Sequence, residues 1–204
     1  MKEFHFDDFF RSLLSHPKFT GNCRRKRYQK GEHIFTQGEI RREVFCLHHG
    51  LVKLYFNTRE GKEWIKSFVA DRGVFGSRSG QVEGKPSPFS VSCLEDCEIV
   101  VLPYDIFEQI CFDDPALARM VFLFNQWLGA KKEKREFQLL CLSAEEAYSE
   151  FVNSNPGLVS RLTQIDISRY LGITPIALSR IKKRLSSENS HPVCGMYNHV
   201  RQHK

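Results

Sequence analysis

The chain lacks any run of 18 apolar residues, so no segment reads as a transmembrane helix and no membrane partner is expected. Its opening residues, Met1-Lys2-Glu3-Phe4-His5-Phe6-Asp7-Asp8, carry acids where a signal peptide is basic and then apolar, which points to a cytosolic protein. A P-loop and a legible nucleophile–base pair are both missing, so neither enzymatic chemistry nor a metal site is expected. Closely spaced cysteines are scarce as well. Seven stand at 23, 46, 93, 97, 111, 141 and 194, an odd number, and the nearest two, Cys93 and Cys97, form CxxxC rather than CxxC. That usage implies free thiols, several of them buried, and no disulfide framework.

What is present is ordinary globular composition: 204 residues, 41% hydrophobic and 26% charged, enough for one large domain or two smaller ones. The net charge of +6 is unevenly spread. From Arg161 onward eight Lys or Arg (161, 169, 180, 182, 183, 184, 201, 204) face only Asp166 and Glu188, which accounts for the whole excess. A neutral front and a basic tail imply a polyanion bound through the back.

Along the chain, Phe6, Phe9, Phe10, Leu13 and Leu14 recur at helical spacing before Pro17. Short β-type runs then alternate with glycine turns: His33–Thr36, Val44–His49, Leu51–Asn57, Trp64–Val69, Phe89–Cys93 and Cys97–Leu102. This is the pattern of an antiparallel sandwich or roll, with a hairpin turn at Arg59-Glu60-Gly61-Lys62. A short helix is expected over Tyr104–Cys111. A long one starts near Asp113-Asp114-Pro115 and runs to Leu142, about 28 residues or about 42 Å. Its apolar residues Leu117, Val121, Phe124 and Leu128 step by four, three and four, which suits a dimer seam or a helix packed within one subunit.

The last part is helical. Ser143-Ala144-Glu145-Glu146 is a capping box, and Asn155-Pro156-Gly157 a break. From Thr163 to Leu171 Ile165, Ile167, Tyr170 and Leu171 supply an apolar face; Gly172 suits the position after a helix end, Thr174 a cap and Pro175 a first helical turn. Leu178, Ile181 and Leu185 then face a core while Ser179, Arg180, Lys182, Lys183 and Arg184 turn outward. A helix, a glycine turn and a second, basic helix make a helix-turn-helix. Arg180 suits guanine O6 and N7 in a major groove, against the plainer reading of a solvated surface arginine. Thr174, Pro175, Ile176, Ser179, Arg180, Lys183 and Arg184 are the candidate DNA-binding residues.

These residues resemble the Crp/Fnr family of bacterial transcription regulators, most nearly the branch common in Bacteroidetes. The resemblance covers nearly the whole chain. It is carried by Lys30-Gly31-Glu32-His33-Ile34-Phe35 with Gly38-Glu39, by Gly50-Leu51-Val52-Lys53-Leu54-Tyr55 and by Gly73-Val74-Phe75-Gly76. Leu142–Glu146, Arg169-Tyr170-Leu171-Gly172-Ile173-Thr174-Pro175 and Leu178-Ser179-Arg180 complete it. It implies an α+β fold: an antiparallel, cyclic-nucleotide-binding-like β-roll sensory domain over 1–112, a long dimerisation helix over 113–142, and a helix-turn-helix DNA-binding domain with a tail over 143–204. Double-stranded DNA and a second copy of the chain are the implied partners, with RNA polymerase added if the protein is an activator.

The chain also departs from the family. The cyclic-AMP receptors carry Gly-Glu at the ribose and a later Arg-Ser at the cyclic phosphate. Here Ser77 follows Gly76, and Ser87 and Pro88 occupy the Arg-Ser positions. The effector pocket of Gly76, Ser77, Arg78, Ser87 and Pro88 therefore reads as degenerate, with Arg78 and Lys85 the nearest cations. A phosphate buried without such partners is costly, so cyclic AMP is not the expected effector, and no cofactor is identified. The cysteine cluster of the iron–sulfur members is absent, with only Cys23 near its place. His33, His48 and His49 read as strand residues or as haem-ligand candidates. Ile176 stands where many members carry a glutamate; it suits a thymine methyl and not cytosine N4. Ser186–Lys204 shows no clear pair of strands for a wing. The alternative function is a small-molecule-binding roll with a degenerate DNA-binding part, which the basic residues at 180–184 argue against.

Overall fold

The computed structural model describes residues 6–188. The tail beyond, with Cys194 and any wing hairpin, lies outside the described residues. The elements run α1 (Phe6–Ser15), α2 (Pro17–Asn22), β1 (Arg24–Tyr28), β2 (His33–Phe35), β3 (Glu43–His49), β4 (Leu51–Asn57), β5 (Glu63–Ala70), β6 (Gly73–Phe75), α3 (Arg78–Glu83), β7 (Ser90–Cys93) and β8 (Cys97–Pro103). Helices follow: α4 (Tyr104–Asp113), α5 (Pro115–Cys141), α6 (Ala144–Ser154), α7 (Pro156–Val159), α8 (Gln164–Leu171) and α9 (Pro175–Glu188).

The strands form two four-stranded antiparallel sheets, in the orders β1-β8-β3-β6 and β2-β7-β4-β5. The β4–β5 hairpin turns at Thr58–Lys62, closed by the Thr58 N–H to the Lys62 carbonyl at 2.8 Å, with Gly61 at φ 76°. Alternate side chains of the two sheets meet in one core that includes Phe35, Phe45, Leu47, Val52, Val91 and Ile99. Two further clusters lie on the outer faces. One packs Phe9, Phe10, Leu13 and Phe19 of α1 and α2 against Val44, Cys46, Val100 and Leu102, together with Ile110 and Leu117. The other packs Leu51, Tyr55, Ile65 and Phe68 against Ala147, Phe151, Ile167, Leu171 and Leu178 of the helical end. Burying one such side chain fully stabilises by roughly 1.5–3 kcal/mol. These two clusters tie the helices to the roll.

Pro17 ends α1 and then opens α2 at its first turn, with His16 Nδ1 accepting from the Lys18 N–H at 3.2 Å. Asp114 caps α5 by accepting from the Ala116 and Leu117 N–H groups at 2.9 and 3.1 Å, and the helix runs 27 residues, about 40 Å. Its expected seam is partly covered within the chain. Leu117 is 2% exposed and sits in the α1 cluster. The Phe124 ring stacks on Phe9 with centroids 5.7 Å apart, meets Phe6 edge-on at 5.8 Å and stacks on Trp127 at 6.0 Å. Val121 packs partly buried on the same cluster, and Leu128 is half-buried. The aromatic face of α1 needs an apolar partner, and within the chain it takes most of this stripe. The large apolar residues exposed on α5 are Phe122, Phe137, Leu139 and Leu140.

Candidate nucleic-acid interface

The helix-turn-helix is built by local chemistry. Thr163 and Asp166 form a capping box at the start of α8: the Thr163 hydroxyl donates to the Asp166 carboxylate, and the Asp166 N–H donates back to that hydroxyl at 3.1 Å. Gly172 ends α8 in the left-handed region at φ 76°, a conformation that glycine adopts at little cost. The Ile173 N–H bonds the Ser168 carbonyl at 3.0 Å and fixes the turn. Thr174 Oγ1 accepts from the Ala177 N–H at 3.2 Å, and Pro175 begins α9. Ile167, Leu171, Leu178 and Ile181 are buried, so the pair of helices is docked firmly. Ile165 differs from its expected place in the apolar face, being 50% exposed.

Burial then decides which side chains are free to meet DNA. Thr174, Pro175, Ile176, Ser179, Arg180, Lys183 and Arg184 are all exposed. Ile176, Ser179, Arg180 and Lys183 step along one face of α9 at three- and four-residue spacing. Arg180, Lys182 and Lys183 form no ion pair among the described residues. Arg184 pairs with Glu145 of α6 at 3.0 Å. Thr174 and Pro175 line a cleft of about 340 Å³ whose opposite wall is the β4–β5 turn, Gly61 to Trp64.

Two arginines counted in the basic tail serve a different purpose. Arg161 grips Glu95 with two nitrogens, Nε at 2.9 Å and Nη2 at 2.6 Å, and reaches Asp71 with Nη1 at 2.7 Å. This grip holds the Glu95 carboxyl below its usual value and the Arg161 guanidinium above its own. For Asp71 burial pushes upward, and the Gly50 N–H with Arg161 outweighs it, so its carboxyl also sits low. Arg169 pairs with Glu63 at 3.1 Å, and Glu63 also takes Lys53 at 2.6 Å. These pairs clasp the helical end to the roll. Sequence reading missed them because each joins residues far apart in the chain, and no local pattern marks such a pair.

In the Gly76–Pro88 segment the two serines are buried and the cations are exposed. Ser77 is fully buried and its hydroxyl has no partner among the described residues; Ser87 is 1% exposed and its hydroxyl donates to the Phe89 carbonyl at 2.8 Å. A Cβ on Gly76 would lie 2.1 Å from Gln81 Nε2, which itself donates to the Glu43 carbonyl at 2.7 Å. Arg78, Lys85 and Pro88 are exposed, and Lys85 is paired with Glu83 at 2.9 Å. The six cysteines among the described residues are free, with Cys46, Cys93 and Cys97 buried, and burial pushes the Cys46 thiol up to about 12.

Residues 25–114 match the cyclic nucleotide-binding domain. Over 195 residues the chain is 27% identical to the fumarate and nitrate reduction regulatory protein of Vibrio cholerae, covering 88% of this chain and 76% of that protein. It is 27% identical to electron transport regulator A of Shewanella oneidensis, covering 85% and 73%. FixK2 from Bradyrhizobium japonicum superposes with a TM-score of 0.72 at 21% identity, over 85% of this chain and 89% of that one. The chain thus carries a cyclic nucleotide-binding domain and is similar to regulators of the Crp/Fnr type. Its fold is the β-roll followed by a long helix and a helix-turn-helix that these structures share. The relatives are named as regulators, and among the described residues no helix is long and apolar enough to cross a membrane.

Proposed function

We propose that the protein is a homodimeric, sequence-specific DNA-binding regulator whose effector is not cyclic AMP. Its parts are a sensory roll over 1–112, a dimerisation helix over 113–142 and a DNA-binding domain over 143–204. The observation that carries the reading is the outward face of α9, where Ile176, Ser179, Arg180 and Lys183 are exposed and the two cations are unpaired among the described residues. Arg180 reads guanine, Ile176 touches a thymine methyl, and Ser179 and Lys183 meet phosphate. Thr174 and Pro175 stand at the helix N-terminus, whose N–H groups favour an anion. Arg184 joins the phosphate contacts by exchanging Glu145 for DNA. RNA polymerase is a partner wherever the protein activates.

The second copy packs on the outer face of α5. Phe122, Gln126, Gly129, Glu133, Phe137 and Leu140 are all exposed and follow one another by three or four residues. Gly129 permits close approach there, and the flanking aromatic and aliphatic groups supply apolar area.

The effector reading rests on the buried Ser77 and Ser87 and on the outward Arg78 and Lys85, which leave no cation inside the Gly76–Pro88 segment. Calorimetric titration with cyclic AMP should give no saturable heat in the micromolar range; a saturating isotherm there sinks the effector reading. The DNA reading is tested by selecting binding sites from a random duplex pool. Recovery of an inverted repeat with half-sites about 34 Å apart supports it, and a pool that never enriches overturns it.

A further inference from the structure

Where β5, the carboxyl half of α5 and α8 meet there is a cleft of about 280 Å³. Its apolar walls include Phe56, Trp64, Leu139 and Tyr170. Three cations reach it: Lys66, Arg135 and Arg169. Arg169 is neutralised by Glu63. Arg135 lies 4.0 Å from the centre of the Tyr170 ring and donates to the Tyr170 carbonyl, and neither contact is with an anion. Lys66 is half-buried, its ammonium 4.4 Å from the centre of the Phe89 ring.

The charge around Lys66 has one sign. Burial, then Lys132 and Lys131 of α5, push its ammonium down to about 8. Among the described residues no carboxylate pairs with Lys66, Lys131, Lys132 or Arg135. Uncompensated cations beside a low-dielectric wall are unfavourable, and a bound anion removes that cost. Two donors on one side and the apolar Phe56, Trp64 and Leu139 on the others match a ligand with one charged end and a flat apolar body.

We propose that this cleft is a binding site for a small organic carboxylate with a planar apolar body. Its carboxylate is held by Lys66 and by the free N–H groups of Arg135, and its ring lies against Phe56, Trp64 and Leu139. The site is distinct from the Gly76–Pro88 segment, because α8 and the turn glycine Gly172 form part of its lining. The roll, the long helix and the helix-turn-helix each contribute a wall, so occupancy couples all three. Only this coupling rests on the reading of the protein as a DNA-binding regulator; the binding does not.

The probe is 2-naphthoate, titrated calorimetrically into the full chain, with 2-naphthalenemethanol as its uncharged counterpart. Naphthoate should bind saturably, and the alcohol about tenfold more weakly or worse, the order of one charge-assisted hydrogen bond. Lys66→Gln and Arg135→Gln should each weaken naphthoate about tenfold and leave the alcohol unchanged. Equal binding of acid and alcohol, unchanged affinity in Lys66→Gln, or no saturable binding of naphthoate overturns the proposal. Lys66→Met guards against misfolding: with the cation removed its melting temperature should equal or exceed that of the parent, and naphthoate should raise it less than in the parent. Arg180→Ala separates the two readings, since it should bind naphthoate like the parent whatever happens on DNA.

Discussion

The face of α9 and the Gly76–Pro88 segment both carry polar residues that a ligand could use, and they treat them in opposite ways. On α9 Ser179, Arg180 and Lys183 stand in solvent with no ion pair among the described residues. In the segment Ser77 and Ser87 are buried, Ser87 is satisfied by its own neighbours, and the cations Arg78 and Lys85 are exposed. A surface meant for a large polyanion can leave its charges hydrated until the partner arrives. An enclosed pocket cannot, because an unfilled charge there carries a desolvation cost.

The sharpest way to break this contrast is Arg180→Ala. Loss of one bidentate arginine–guanine pair removes about 1–3 kcal/mol of discrimination per half-site, and a symmetric dimer loses two. Affinity for the selected duplex should fall roughly 30-fold or more, while affinity for a scrambled duplex, which rests on the whole basic face, changes little. An equal fall on both duplexes would make Arg180 a phosphate clamp. Lys183→Ala should weaken both duplexes alike and reduce the salt slope by about 1 per subunit.

The same contrast divides α5. Its Leu117 face is closed by α1, and its Phe122–Leu140 face is open. Leu117→Ala should destabilise the subunit by about 2–5 kcal/mol in denaturant without dissociating it. Phe122→Glu with Leu140→Glu should do the reverse, keeping the helical circular-dichroism signal and giving monomers in sedimentation equilibrium. A double variant that stays dimeric at micromolar concentration would refute the outer seam.

How far the sequence led follows from the range of each signal. The helix-turn-helix was readable because caps, the turn glycine and the periodicity of Ile167, Leu171, Leu178 and Ile181 are local, and each recurs in the structure. Strands β3, β4, β5, β7 and β8 were readable from apolar runs between glycines. Strand β1 was not, since Arg24-Arg25-Lys26-Arg27 is exposed and held by backbone pairing to β8. Helix α3 was hidden in a segment rich in Gly, Ser and Pro. The seam residues show the same limit. The step of four, three and four marks an apolar face, and only the fold shows that α1 packs on part of it.

Arg161 offers a smaller effect on the closed side. Its side chain is 26% exposed, so replacing it with Met should cost about 1 kcal/mol at neutral pH after allowance for solvent screening. Because Glu95 titrates below its ordinary range in the folded protein, the contribution is whole above that range and fades as pH falls through the folded value. The gap between parent and Arg161→Met should therefore narrow below about pH 4. A gap that persists unchanged at pH 3 would assign the loss to packing of the arginine stem.

The smallest expected effect probes the one cation cluster that is neither hydrated like α9 nor buried like the serines of the Gly76–Pro88 segment. Lys66 is pushed down to about 8 by burial first and then by Lys132 and Lys131, whereas in the unfolded chain it titrates near its ordinary value of 10.5. Between those values the unfolded chain holds more protons than the folded one, so stability gains as pH rises through that window. Below about 8 the destabilisation by the charged amine is complete and no longer depends on pH. Tyrosines and other lysines titrate in the same range, so the measurement is a difference: urea unfolding of the parent and of Lys66→Met, from pH 7 to pH 10. Lys66→Met should be the more stable at pH 7, and its advantage should shrink toward pH 10 as the parent sheds its proton. Saturating 2-naphthoate should shrink the advantage at pH 7 as well, because an anion and a lost proton relieve the same excess charge. A constant advantage across the range would place Lys66 in ordinary solvent, and the cleft would then join α9 on the hydrated side of the contrast.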